Sequence, residues 1–142
     1  MMGKSDTITR STLTLKSNLS EIPELVNAIL TCLKEKNVSD DILHDIKLAT
    51  EEAAINAIKH GNKFNEGFPV TVYFEYGANK ISITVEDKGS GYDYKKLPDP
   101  TSDEYIERGH GRGVFLIRKL MDEVKFNKTG NRIEMVKHIK KG

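Results

Sequence analysis

The sequence lacks the features that mark secreted, membrane-spanning and strongly basic proteins. It has one cysteine, Cys32, so no disulfide can form within the chain. No apolar run approaches the roughly 18 residues of a membrane helix, and no apolar signal segment opens the sequence. Lys and Arg total 22 against 21 Asp and Glu, a net charge of +1, which leaves no bulk basic field for nucleic acid or an anionic membrane. We expect a cytoplasmic protein that binds neither nucleic acid nor membrane directly and holds any anion by local geometry.

Internal repeats and low-complexity linkers are missing as well. At 142 residues and 37% hydrophobic, the chain is long enough for one domain with a real core but would not comfortably hold two. We therefore expect a single domain over residues 1–142.

The apolar periodicity predicts helices and hairpins confined to separate segments. Alternation indicates strands, and spacings of three and four indicate helices, the second of which begins at a Ser39 cap and ends at Gly61. This order predicts an α+β two-layer sandwich, with helices on one face of a mixed, mostly antiparallel sheet. The predicted elements are strand 7–15, helices 21–36, 40–61 and 113–124, and hairpins 69–87 and 124–139.

The second predicted helix carries a row of polar side chains beside its apolar stripe. Glu52, Asn56 and His60 follow one another at intervals of four residues and so lie along one side of the helix. Asn56 borders the core and needs partners for both ends of its amide. One interpretation is a core-edge asparagine bonded to a loop, with Glu52 and Lys59 solvated. The other is a carboxylate and a neutral metal ligand at one cleft.

A first glycine cluster, "DKGSG", follows the strand that ends near Val85. Asp87 emerges at the strand end, and Gly89 and Gly91 allow the backbone to turn closely around a flat ligand. A buried acid there could accept a hydrogen bond from an exocyclic amine such as that of adenine. An ordinary turn capped by the aspartate fits the pattern equally well.

A second cluster, "GHGRG", runs directly into a helix. Gly109, Gly111 and Gly113 would leave unpaired N–H groups and the positive end of a helix dipole at one place, which favours an anion such as polyphosphate. No Lys-Ser/Thr pair follows, so this is not a Walker loop, and the preceding segment is a long loop rather than the first strand of a Rossmann unit. The charges of Arg108, His110 and Arg112 could assist phosphates or simply be solvated.

Taken in order, these motifs resemble the N, G1 and G2 boxes of the GHKL ATPases. The boxes are ExxxN at Glu52 and Asn56, DxGxG from Asp87 to Gly91, and GxGxG from Gly109 to Gly113. The phrases "EEAAINAIKHGN", "GRGVFLIRKLMDEV" and "VKHI" resemble more specifically the bacterial anti-sigma factor serine/threonine kinases. The resemblance covers about residues 10–140 and implies the ATP-binding fold of that superfamily.

The resemblance also implies residue roles. Asn56 would be the side-chain ligand to Mg²⁺, Asp87 would accept the adenine amino group, and the glycines from Gly109 to Gly113 would hold the phosphates of ATP beneath a lid at residues 92–108. Glu52 would be the general base, which in a largely dissociative phosphoryl transfer accepts the hydroxyl proton late. The remaining implied nucleotide contacts are Lys59, His60, Gly89, Gly91, Arg108, His110, Gly111, Arg112 and Val114.

Glu51 and Arg132 bear on these implied roles. Glu51 is turned about 100° from Glu52 around the helix, so the interval of four to Asn56 favours Glu52 as the base. Related chains usually place a threonine in the last hairpin near adenine, where this sequence has Arg132 after Gly130 and Asn131. We expect adenine recognition to lose a hydroxyl there and gain a bulky cation.

Two functions fit these residues. In the first, the chain is an ATP-dependent protein kinase that sequesters a sigma factor and phosphorylates an anti-sigma-factor antagonist on serine or threonine; the resemblance also implies a homodimer. In the second, it is a non-catalytic ATP-binding module that captures a regulatory partner. We see no phosphoacceptor-histidine segment and so do not expect a complete histidine kinase.

Overall fold

The structure, a computed structural model, describes residues 8–89 and 111–139. This part of the chain contains five strands and three α-helices; a 3-10 turn at Leu19–Glu21 precedes the first helix, and a short π-helical turn at Ala57–Gly61 extends the second. The elements are β1 (Thr9–Leu15), α1 (Ile22–Glu35), α2 (Asp40–Asn56), β2 (Val70–Tyr76), β3 (Lys80–Glu86), α3 (Gly111–Leu120), β4 (Glu123–Phe126) and β5 (Arg132–His138).

The strands form one sheet in the order β1-β2-β3-β5-β4, and every pairing in it is antiparallel. Val72, Val85 and Ile133 lie side by side across β2, β3 and β5 and are buried in a core shared with the helices. The opposite face carries Tyr73, which is exposed, and Glu134. The predicted α+β sandwich is confirmed, and its sheet is wholly antiparallel among the described strands rather than mixed.

Local sequence explains where α1 and α2 end and begin. Asn37 adopts a left-handed backbone (φ 61°) after α1, and the N–H of Val38 reaches back to the carbonyl of Leu33. The Ser39 hydroxyl then accepts a hydrogen bond from the N–H of Ile42, which caps α2 as the sequence predicts.

The third helix ends four residues earlier than its apolar spacing predicts. The sequence suggests a helix to residue 124, but α3 stops at Leu120. The N–H of Asp122 bonds the carbonyl of Val136, and Glu123 already pairs with β5. Strand pairing therefore overrides the helical pattern at this point.

Lys137 fastens the C-terminal end of α3 to α2. Its ammonium group donates to the carbonyl of Leu120 at 2.6 Å and lies 3.0 Å from a carboxylate oxygen of Asp45. The side chain is only 15% exposed, and a cation at a helix C-terminus complements the helix dipole. This contact helps to fix how α3 lies across α2, and so where its N-terminal end meets that helix.

None of the described helices is long and apolar enough to cross a membrane.

Thr50, in the middle of α2, offers a test of the packing. Its hydroxyl oxygen is buried and has no hydrogen-bond partner in the described part of the chain. A buried unsatisfied hydroxyl costs about 1–3 kcal/mol, so Thr50→Val, which keeps the shape, should raise the free energy of unfolding by about 1 kcal/mol. Urea unfolding of the two proteins measures the difference. A loss of stability would mean that the hydroxyl has a partner.

Candidate nucleotide-binding site

The N-terminal half of α3 lies directly on the ExxxN segment of α2. A methyl group at Gly113 would come within 2.9 Å of a carboxylate oxygen of Glu52 and 3.0 Å of the amide nitrogen of Asn56. The first distance is shorter than real Cβ contacts and the second is unusually tight, so a side chain at this position would require the Glu52 carboxylate to shift. Val114, the next residue, is buried. The structure thus brings together Glu52 and Asn56 of the first predicted motif and Gly113 of the third.

The surroundings of Glu52 make its carboxylate more basic than usual. Partial burial raises its pKa, and the neighbouring charge of Glu51 raises it further. Asn56 beside it is 9% exposed. An oxygen pair of this kind, one carboxylate and one amide, can accept a proton and coordinate a hard cation.

Asp87 lies where β3 ends, and Asn131 bonds both its backbone N–H and its backbone carbonyl. Its N–H donates to the carbonyl of Asn131 at 2.9 Å, and its own carbonyl accepts from the amide of Asn131 at 3.1 Å. Its side chain accepts from the N–H of Gly89 at 2.9 Å. Burial raises the pKa of Asp87 to about 6, with a smaller upward effect from Glu86, although the Gly89 hydrogen bond opposes the shift. Asp87 is 4% exposed, and its carboxylate is an oriented acceptor in a buried turn.

Two glycines allow this turn to pack on the end of α2. A Cβ at Gly89 would collide with the backbone carbonyl of Gly61, and a Cβ at Gly61 would collide with the Asp87 carboxylate. The sequence predicts that the helix ends at Gly61, and the π-helical turn does end there, without a positive φ at Gly61 itself. The requirement for glycine at position 61 is close approach to Asp87, not a left-handed backbone.

One cavity joins the two halves of the site. It is lined by residues of α2, the end of β3 and the β4–β5 turn, including Asn56, Asp87, Phe126 and Asn131. Its volume is about 20 Å³, which is room for a water molecule and not for a purine. A cavity of about 250 Å³ lies at the other end of β3, around Gly77 and Lys80, and contains no residue of the three motifs. We assign the site to the smaller cavity because the motif side chains converge there.

The other predicted positions are distributed differently. Lys59 is exposed, and in the described part of the structure no contact joins its ammonium group to Glu52, Asn56 or Asp87. His60 is half-buried and engaged in contacts of its own. Gly111 and Arg112 form the first turn of α3. The predicted positions Gly91, Arg108, Gly109 and His110 and the lid at residues 92–108 lie outside the described residues.

Arg132, which the sequence predicts beside adenine, directs its cation toward the face of the sheet away from the helices. Arg132 borders the cavity, but its guanidinium group lies 3.9 Å from a carboxylate oxygen of Glu86 and stacks over the ring of Tyr73. Strand alternation puts Glu86 and Tyr73 on the face of the sheet away from the helices, and the guanidinium group of Arg132 lies on the same face. Asn131 is the residue whose side chain reaches the Asp87 turn.

Asn62 and Asn131 belong to the site but are not predicted from the sequence. Asn62 is 2% exposed, and its side chain bonds the turn that carries Asp87. A signal was available, because an asparagine that directly follows a helix and precedes a polar loop is a candidate for bonding nearby backbone. Nothing in the sequence shows that β5 returns to β3, and that pairing places Asn131 at Asp87.

The sequence is similar to those of known proteins. The family described as "Histidine kinase-like ATPase domain" matches residues 15–137, which is most of the chain. The chain belongs to this family. The sequence is also 41% identical, over 109 residues, to "Serine-protein kinase RsbW" from Staphylococcus aureus strain JH9, covering 71% of this chain and 69% of that protein. The protein of the same name from strain Newman matches with the same identity and coverage.

The predicted resemblance to histidine kinase-like ATPases and to serine kinases among them is therefore confirmed. Membership of this ATPase family implies that the chain binds ATP. The family match spans all described residues of the candidate site, from Asn56 through Asp87 to Asn131.

Proposed function

We propose that the chain is an ATP-dependent protein serine/threonine kinase that acts as an anti-sigma factor and phosphorylates an anti-sigma-factor antagonist. The observation that carries the proposal is the contact of Glu52 and Asn56 with the glycine at position 113, beside the cavity that Asp87 also lines. Identity to proteins named serine-protein kinase supports the reaction type. The sigma factor, the antagonist and a homodimeric state follow from the sequence resemblance. A single domain is proposed from the length and composition of the chain, and a cytoplasmic location from its single cysteine and its lack of long apolar runs.

In this proposal, adenine enters beside Asp87 and the phosphates extend toward the N-terminal end of α3. The ionised carboxylate of Asp87 accepts a hydrogen bond from the exocyclic amine of adenine. A purine is larger than the present cavity, so its entry requires side chains at the rim, such as Phe126, to move. The backbone N–H groups of the first turn of α3 point toward the phosphates, where the helix dipole favours negative charge.

Glu52 would orient the hydroxyl of the protein substrate and accept its proton. Its raised pKa suits a group that takes up a proton as the bond to phosphorus forms. The hydroxyl oxygen attacks the γ-phosphorus, the bond to the β–γ bridging oxygen breaks, and ADP leaves with that oxygen. The proton of the hydroxyl passes to the carboxylate of Glu52.

The residues present fit a magnesium ion. Mg²⁺ prefers oxygen ligands and is commonly held by one or two protein groups together with phosphates and water. The amide oxygen of Asn56 would supply one ligand, with Glu52 close by. No larger group of metal-ligating side chains occurs among residues 8–89 and 111–139. The ion would neutralise charge on the phosphates when bound.

Replacing Asn56 by alanine tests the metal assignment. We expect Asn56→Ala to weaken ATP binding about tenfold in the presence of Mg²⁺, the loss of one strong polar contact, and to leave binding in EDTA nearly unchanged. Calorimetric titration with and without the metal measures both values. Equal affinity of the wild type under the two conditions would contradict the role of Asn56.

The raised pKa of Asp87 predicts a pH dependence. Above a pKa of about 6 the carboxylate is ionised and can accept the adenine amine, whereas below it the proton competes. ATP affinity should therefore fall about tenfold between pH 7 and pH 5. Because ATP itself titrates in this range, the measurement is the ratio of wild-type affinity to that of Asp87→Asn, and parallel pH curves would exclude the assignment.

The raised pKa of Asp87 also makes the free energy of unfolding depend on pH. The folded state binds the Asp87 proton more tightly than the unfolded chain, with a pKa of about 6 against 3.8. Asp87 therefore disfavours folding as the pH rises between these values. Asp87→Asn should lack this slope, and urea titrations at pH 4 and pH 7 measure it.

Phosphate transfer tests the function as a whole. The purified chain, incubated with Mg²⁺, γ-labelled ATP and a candidate antagonist protein, should place label on a serine or threonine of that protein. A chain that binds ATP but labels none of the antagonists encoded in its genome would instead be the non-catalytic module that captures a partner.

A further inference from the structure

Asn62 connects three segments of the chain through one buried side-chain amide. Its nitrogen lies 2.9 Å from the hydroxyl of Ser17, 2.8 Å from the carbonyl of Phe68 and 3.2 Å from that of Pro69, so its two hydrogens are shared among three acceptors. Its oxygen accepts from the N–H of Lys88 at 2.8 Å. The side chain is 2% exposed, and its removal would leave the Lys88 N–H without the acceptor that it has in this structure.

The bond to Lys88 bears directly on the turn that carries Asp87. The N–H of Asp87 is held by Asn131 and that of Gly89 by the Asp87 carboxylate itself. The N–H of Lys88, between them, is held by Asn62. Asn62 thus supplies the side-chain bond that ties the middle of this turn to the end of α2.

The backbone around Asn62 is also constrained. Lys63 and Phe64 both have left-handed backbones, with φ of 51° and 60°, which side-chain-bearing residues rarely adopt. Two further bonds hold this conformation: the N–H of Phe64 donates to the carbonyl of Ile58 at 2.8 Å, and that of Asn65 to the carbonyl of Asn62 at 3.0 Å. Such conformations persist where the surroundings over-determine them. The chain therefore reverses direction at Asn62 and returns to Phe68 and Pro69, which accept from its amide.

We propose that Asn62 is a positioning residue for base recognition: its oxygen holds the Lys88 N–H, and thereby sets where the Asp87 carboxylate meets the exocyclic amine of adenine. The proposal rests on the proposed function, in which Asp87 reads adenine. Guanine presents a carbonyl instead of that amine, so a correctly placed carboxylate favours ATP over GTP. Asn62 makes no described contact with Glu52, Asn56 or Gly113, so its loss should affect base selectivity and spare the phosphate side.

The test compares two substitutions in the same hydrogen-bond network. Asn62→Ala removes the bond to Lys88, whereas Ser17→Ala removes a bond to the Asn62 amide and one to the Phe68 carbonyl but leaves Lys88 held. Both variants should unfold at lower temperature than wild type. In calorimetric titrations with Mg·ATP and Mg·GTP, Asn62→Ala should lower the ratio of ATP to GTP affinity about tenfold, mainly by weakening ATP, and Ser17→Ala should keep that ratio within about twofold.

The outcomes separate this inference from the function on which it rests. A wild type that binds neither nucleotide, or shows no preference for ATP, overturns the adenine role of Asp87 and this proposal with it. If the wild-type preference disappears in Asp87→Ala but persists in Asn62→Ala, only the role of Asn62 is wrong. An equal loss of preference in Ser17→Ala would reduce Asn62 to a general structural contact. Should Asn62→Ala not fold, Asn62→Ser, whose side chain is too short to reach Lys88, gives the same comparison.

Discussion

Replacing Glu52 by glutamine is expected to reduce phosphate transfer to a protein serine or threonine about 100-fold or more, because general-base contributions are of that order. Glutamine keeps the size of the side chain and its hydrogen-bonding oxygen but cannot take up the proton. ATP affinity should change less than about threefold, since Glu52 acts on the hydroxyl of the substrate and not on the nucleotide. The measurements are initial rates of labelled-phosphate transfer and calorimetric ATP binding.

Glu51→Gln is the matched control for this experiment. It makes the same chemical change one position away on α2, turned about 100° around the helix. It also removes a charge that raises the Glu52 pKa, so a small change in rate is expected, in contrast to the loss in Glu52→Gln. If the two variants lose activity equally, or if Glu51→Gln loses more, Glu52 is not the base.

Replacing Gly89 by alanine should damage both folding and ATP binding. The added methyl group would collide with the backbone carbonyl of Gly61, which cannot move without displacing the end of α2. Overpacking of this kind costs about 1–3 kcal/mol. The collision would also displace the turn and weaken the hydrogen bond from the Gly89 N–H to the Asp87 carboxylate. ATP affinity should therefore fall about tenfold or more.

Gly77→Ala controls for the effect of removing a glycine. Gly77 lies in the β2–β3 turn at the opposite end of β3, and a Cβ there would meet the nearest carbonyl at an ordinary 3.7 Å. Urea unfolding and ATP titration of the two variants should show losses confined to Gly89→Ala. Wild-type affinity in Gly89→Ala would show that the turn can move without consequence for ATP.

Much of this fold can be predicted from sequence because its signals are local. Alternation at Val72 and Phe74, or at Ile81 and Ile83, defines strands, and the Ser39 cap defines the start of α2. Strand order is not a local property: β5 lies between β3 and β4, and no sequence period reports that insertion. The early end of α3 has the same cause, since Glu123 pairs with Val136 across the hairpin.

The candidate site divides in the same way. Glu52, Asn56 and Asp87 are predicted because each stands in a recognisable motif. Gly61 is predicted as the end of the second helix, which the structure confirms, but its close approach to Asp87 is not predictable because it depends on how the end of β3 meets α2. The direction of the Arg132 charge depends on the strand pairing, because successive residues point to opposite faces: Arg132 lies beside Glu86, whereas the side chain of Asn131 bonds Asp87.

Calorimetric titration of the wild-type chain with Mg·ATP tests the central claim most directly, because the kinase and the non-catalytic alternative both require the site formed by α2, the Asp87 turn and α3. We predict saturable binding of one ATP per chain that weakens in EDTA and weakens strongly in Gly89→Ala. Absence of ATP binding by the folded wild-type protein at millimolar nucleotide would contradict it.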